Sequence, residues 1–182
     1  MRKRFLMVTM LIAACWSAHA IEPRHGVLVG EVHKLDRTAK TVVIKTADGT
    51  EHTLHFVSRT AVHGAQETAV GAKDAFHGLK EGSQVAVHYT ARGTDETADE
   101  VDNIGKDGLK ASEVTVTGVD RSAKTLAVKT ADGAQETYRL TDRAAEDASK
   151  DLGEGTEKSA KVTIYYTEEA GHKVAHFFKR AI

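Results

Sequence analysis

One stretch of this chain is written twice. Asp36-Arg-Thr-Ala-Lys-Thr-Val-Val-Ile-Lys-Thr-Ala-Asp-Gly49 returns as Asp120-Arg-Ser-Ala-Lys-Thr-Leu-Ala-Val-Lys-Thr-Ala-Asp-Gly133, displaced by 84 positions. Self-similarity at a fixed offset marks a duplicated structural unit. A fold for this chain must therefore be built from two like bodies, and what each body is can be read from the repeat.

In the first copy, Val27 to Leu35 is rich in aliphatic residues and is followed by a polar turn, Asp36 to Lys40. From Thr41 to Thr46, Val42 and Ile44 share one face, while Val43 and Lys45 share the other. That period of two predicts a strand rather than a helix. Ala47-Asp-Gly49 reads as a hairpin turn, because Asp-Gly accepts the positive φ of tight primed turns. Glu51 to Val57 is the returning strand, with Leu54 and Phe56 inward. In the second copy, Leu126 and Val128 replace Val42 and Ile44, and Tyr138 and Leu140 replace Leu54 and Phe56. Exchange within the apolar class at inward positions is what a shared core layout predicts. The first strand of each copy breaks the period of two at Val32-x-x-Leu35 and Val116-x-x-Val119, which predicts a bulge or bend. Gly30 and Gly118 are the candidates to supply it.

Beyond the third strand the pattern changes. Thr68 to Leu79 suits a short helix. Asp142 to Leu152 is a clearer one, with Asp142 as the expected N-cap and Gly153 as the expected stop. Fourth strands follow, with Val85, Val87 and Tyr89 inward in one copy and Val162, Ile164 and Tyr166 in the other. Fifth strands are expected at Thr97–Ile104 and Lys173–Phe178, with Gly105 to Lys110 as the joint. Three strands, a helix and two strands is the order of the five-stranded OB-fold barrel. The expected fold is mainly β: two tandem five-stranded OB-like barrels over residues 24–105 and 111–182, each with a short helix between strands three and four. SH3-like or sandwich units remain the alternative.

Several stretches carry a further resemblance: Gly-x-Val-x-x-Leu-Asp at Gly30 to Asp36, the Thr-Val-Val-Ile hairpin, Thr60, Leu-Lys-Glu-Gly at Leu79 to Gly82, and Val85-Ala-Val. In these the chain resembles a family of exported bacterial OB-fold-like small β-barrel domains. The second copy departs from it, lacking the Leu-Lys-x-Gly turn. The resemblance implies a fold and an exported location, and it supplies no catalytic residue.

The N-terminus points the same way. Basic Arg2-Lys-Arg4, an apolar run from Phe5 to Ala14 and the small-x-small triplet Ala18-His-Ala20 read as a signal peptide over residues 1–20. Ile12-Ala-Ala-Cys15 also fits a lipobox, which would lipidate Cys15. Both routes lead to the periplasm or cell envelope. Cys15 is the chain's one cysteine, so neither a disulfide nor a four-cysteine zinc site can form within it. No other run reaches the ~20 apolar residues of a membrane span.

Three of the 25 Lys and Arg residues lie in this leader and none of the 26 Asp and Glu, so the remainder is acidic. Its lysines alternate with acids, and aromatic residues make up 5%. Both features argue against nucleic-acid binding, which draws on clustered cations and stacking platforms. The chain contains no Gly-x-Ser-x-Gly elbow, Gly-x-Gly-x-x-Gly loop or Walker loop. Asp99-Glu100 and Glu168-Glu169 read as solvated strand edges or turns. No catalytic residue, cofactor site or enzymatic activity is expected.

Histidine is the enriched reactive residue, ten in all. Seven fall between positions 25 and 88: His25, His33, His52, His55, His63, His77 and His88. His52 and His55, three apart on a strand, face opposite ways. His55 and His88 both face outward by alternation and would form a metal pair if their strands were neighbours. The expected function is a non-enzymatic binding or interaction module of the bacterial envelope, whose partner is an envelope protein or small ligand. A histidine-mediated metal-binding or metal-buffering protein is the alternative.

Overall fold

The structure, a computed structural model, describes residues 22–63, 76, 78–152 and 160–180. It is mainly β, as the alternation predicts. The strands are β1 (Arg24–Asp36), β2 (Thr41–Thr46), β3 (Glu51–His63), β4 (Gln84–Arg92) and β5 (Asp95–Asn103), then β6 (Lys110–Asp120), β7 (Thr125–Thr130), β8 (Gln135–Leu140), β9 (Lys161–Glu169) and β10 (His172–Arg180). Among the described residues one helix, α1 (Asp142–Asp151), lies between β8 and β9 in the chain. The helix expected over Thr68 to Leu79 falls almost wholly outside the described residues, as do the leader, Cys15, His77 and Gly153. No helix among the described residues is long and apolar enough to cross a membrane.

Strands β1-β2-β3-β5-β4 form a closed sheet, with β4 pairing back to β1. The second half repeats that order as β6-β7-β8-β10-β9, also closed. In each sheet the third and fifth strands run parallel and the other pairings are antiparallel. Val42, Ile44, Leu54, Phe56, Val85 and Val87 fill the first core. Leu126, Val128, Tyr138, Leu140, Val162 and Ile164 fill the second.

The duplication reaches the turns. Asp36 accepts from the amide of Ala39, and Asp120 from that of Ala123. Lys40 and Lys124, 84 apart, both take a left-handed φ near 50°. Register shifts fall between Val32 and Lys34 and between Val116 and Gly118, which places matched bulges at His33 and Thr117. Gly118 lies at its bulge. Gly30 does not, and its role is different: a Cβ there would sit 2.4 Å from the backbone oxygen of Lys45. Its counterpart in the second sheet is Val114, which pairs with Thr130 as Gly30 pairs with Thr46.

Two expectations need correction. The N-cap of α1 is Thr141, whose hydroxyl accepts from the Ala144 amide while its own backbone stays extended. Asp142 is instead the first helical residue. Strand β3 also runs past Val57 to His63. Thr60 carries it through: its hydroxyl accepts from Val57 N–H and donates to Ala98 O. Pairing with β5 then resumes as Ala61–Glu100, Val62–Val101 and His63–Asp102.

The two sheets meet in a small apolar seam. Ala86 and Ile104 of the first pack with Phe177 of the second, and Leu109 and Tyr165 flank them. The rings of Tyr165 and Phe177 stack with centroids 4.5 Å apart.

Candidate metal centre

Strand alternation puts Val101 into the first core, so Glu100 and Asp102 point out of it. Water does not reach them there, because the second sheet and its helix cover that face. Glu100 is 2% exposed and Asp102 is fully buried. Buried carboxylates are costly unless partnered, and here the partners come from the second sheet. Glu100 Oε2 accepts the Arg143 amide at the start of α1, at 3.0 Å. Asp102 Oδ2 lies 2.8 Å from His176 Nδ1 on β10.

Each carboxylate thus keeps one oxygen tied and one without a partner. Glu100 Oε1 and Asp102 Oδ1 are buried and unpartnered. His63 Nε2 joins them. It lies 3.2 Å from Glu100 Oε2, within ion-pair range, but makes no hydrogen bond. One ligand atom from each of His63, Glu100 and Asp102 falls within 4.8 Å of the other two. Ions that take oxygen and nitrogen ligands at ~2.0–2.6 Å fit between atoms spaced on that scale.

The electrostatics suit a cation. Glu100 holds His63 above its ordinary value. Burial pushes Glu100 up, yet contacts from His63, the Thr141 hydroxyl and the Arg143 amide outweigh it and keep the carboxyl below the usual range. Burial raises Asp102 against the pull of His176, and the Glu100 charge raises it further. Two anions forced together with one ring are the situation that a divalent ion relieves.

His88 and His55 are not brought together. Strand β5 runs between their strands, β4 and β3. His55 is exposed beside Thr41 and Thr97. His88 faces out of its own core as alternation requires, but the second sheet closes over it. It is 2% exposed, with Nε2 donating to the His176 carbonyl at 2.8 Å and Nδ1 3.6 Å from Asp147. Asp99 and Glu100 are no solvated edge. Glu100 is buried, and Asp99 accepts from the Thr90 hydroxyl at 2.6 Å. Sequence reasoning passed over Glu100, Asp102 and His176. The signal for Glu100 and Asp102 was their flanking of a core valine in β5, and for His176 its place in the apolar run Val174-Ala-His-Phe-Phe178.

No family model matches the chain, and no curated protein matches it. Solved structures do match, CusF among them. Silver-bound CusF shares 14% identity at a TM-score of 0.32, over 43% of this chain and 95% of that one. Apo CusF from Escherichia coli shares 17% at 0.31, over 52% and 95%. A second silver-bound form shares 12% at 0.29, over 41% and 96%. Scores of this size leave function to be argued from the residues themselves.

Proposed function

We propose that this chain is a non-enzymatic, exported binding protein that holds a divalent metal ion between its two sheets, on His63, Glu100 and Asp102. The observation that carries the reading is the convergence of one ligand atom from each of His63, Glu100 and Asp102 within 4.8 Å, in a cluster where each buried carboxylate also keeps an oxygen without a hydrogen-bond partner. A native fold leaves few such atoms orphaned, and a bound ion is one of the standard reasons for it. The two closed sheets are read as tandem OB-like units, over residues 24–105 and 111–182. The export assignment rests on the leader over residues 1–20, with Cys15 as a possible lipid anchor.

The donor set names the class of ion. One imidazole and two carboxylates suit zinc, manganese, cobalt or nickel. Soft monovalent ions prefer thiolate and thioether, and all such groups in this chain, Met1, Met7, Met10 and Cys15, lie within the leader. The buried carboxylates close the site on one side, so the approach among the described residues is past His63, whose side chain is 40% exposed. Such an enclosed position suits holding an ion more than offering it to a substrate.

Calorimetric titration of the metal-free protein with zinc, manganese, cobalt and nickel tests this. At least one ion should bind at 1:1 stoichiometry, and His63→Ala and Glu100→Gln should each abolish or sharply weaken it. Equal binding by both variants, or no binding by the parent, would overturn the reading.

A further inference from the structure

Resting on that metal reading, we infer that the second sheet is a working part of the site although it donates no ligand: His176 and the N-terminus of α1 position the two ligand carboxylates, so metal binding and docking of the two sheets are linked.

Both carboxylates sit on β5 and both are aimed by groups from the other half of the chain. The Arg143 amide takes Glu100 Oε2 and the His176 ring takes Asp102 Oδ2. The second oxygen of each carboxylate stays buried without a partner, and His63 lies beside them with Nε2 3.2 Å from Glu100 Oε2. His176 is itself fixed at its far end, where Nε2 lies 2.9 Å from the Thr167 hydroxyl, which donates to Glu169. The ring is 2% exposed, and its backbone carbonyl accepts His88 Nε2 from the first sheet. Outer partners of this kind orient metal ligands, and their loss typically weakens affinity 10–100-fold. The chain contacts that aim the oxygens are also contacts that hold the sheets together. An ion that needs the aimed carboxylates therefore binds the docked arrangement better than the separated one. By linkage it must strengthen the docking by the same factor.

The test has two arms, both on the full chain with zinc as the probe, or whichever of the four ions binds tightest. In the first, His176→Leu should bind 10–100-fold more weakly than the parent. His176→Asn, whose amide can donate from near the Nδ1 position, should recover most of that loss. Circular dichroism checks that both variants stay folded. In the second, amide exchange followed by NMR on the parent should slow on zinc addition at Arg143 and along Val174 to Phe178, segments that hold no ligand. Unchanged exchange there, or parent-like binding by His176→Leu while His63→Ala loses it, would overturn the linkage and leave the metal site standing. Absence of binding to the parent would remove both.

Discussion

His88 and His176 meet in the seam between the sheets, where the Nε2–H of His88 donates to the backbone carbonyl of His176 at 2.8 Å. A carbonyl can only accept, so this contact fixes the proton on Nε2 and leaves Nδ1 facing Asp147 at 3.6 Å. The ring also meets Phe177 edge-on at 6.4 Å. Replacing His88 with Ala strands a buried carbonyl and opens a void, and should cost about 1–3 kcal/mol for the lost partner alone. His88→Gln carries an amide donor near the Nε2 position and should lose less. Denaturant unfolding of the three proteins checks the order: parent, then Gln, then Ala.

Gly30 and Gly118 should respond in opposite directions to the same change. At Gly30 a Cβ would stand 2.4 Å from the backbone oxygen of Lys45, which cannot move without parting β1 from β2. Gly30→Ala should destabilise by about 1–3 kcal/mol or more, as overpacking does. At Gly118 the nearest atom is Ala127 Cβ at 3.9 Å, an ordinary contact. Gly118→Ala should be neutral or gain about 0.4–1 kcal/mol, because it restricts the unfolded chain. Thermal melts of the two variants measure both.

These two glycines also mark what was legible in the sequence. The strands, their inward faces, the Asp-Gly hairpins and the matched bulges follow from local periodicity and turn chemistry, and local rules reach that far. Gly30 looked like the source of a bend, yet its reason is a neighbouring strand's backbone, which no one-dimensional pattern displays. The candidate site was hidden for the same reason. Glu100 and Asp102 alternate with a core valine as surface residues do, and they are buried by a second sheet whose residues lie more than forty positions away. His63 joined them through an extension of β3 beyond Val57 that depends on the Thr60 hydroxyl reaching β5. His88 faces out of its own core and is still buried, because outward is not exposed where two copies dock.

Duplicated turns should titrate alike. In the first hairpin Asp48 accepts from Thr46 Oγ1 at 2.5 Å and from the Thr50 amide at 3.1 Å. In the second, Asp132 accepts from the Thr130 hydroxyl and the Ala134 amide. These bonds favour the charged form, and the threonine contact is the leading cause that holds both carboxyls below their ordinary value. A folded-state value below the unfolded one contributes stability above the unfolded value, near 3.8, and that contribution fades as pH falls through the folded one. NMR titration should find Asp48 and Asp132 both depressed. Thr46→Val should return Asp48 toward normal without touching Asp132, and Thr130→Val the reverse. Ordinary values at both positions in the parent would contradict the turn geometry.

The start of α1 separates two residues that sequence alone assigns the wrong way round. Thr141, not Asp142, places its side chain over the open N–H of Ala144, and its hydroxyl helps hold the Glu100 carboxyl below its ordinary value. Glu100 in turn takes the Arg143 amide, so a residue of the first sheet shares the capping of a helix in the second. Asp142 contributes only a first-turn charge and an exposed ion pair with Lys124, worth a few tenths to about 1 kcal/mol together. Thr141→Ala removes the cap, at about 0.5–2 kcal/mol, and also removes a polar group that favours the charged form of the buried Glu100. It should therefore cost clearly more than Asp142→Ala, while Thr141→Ser, which keeps the hydroxyl, should stay close to the parent. Urea unfolding monitored by circular dichroism ranks the three. If Asp142→Ala proved the most damaging, Asp142 would be the cap and the helix would begin one residue later than described.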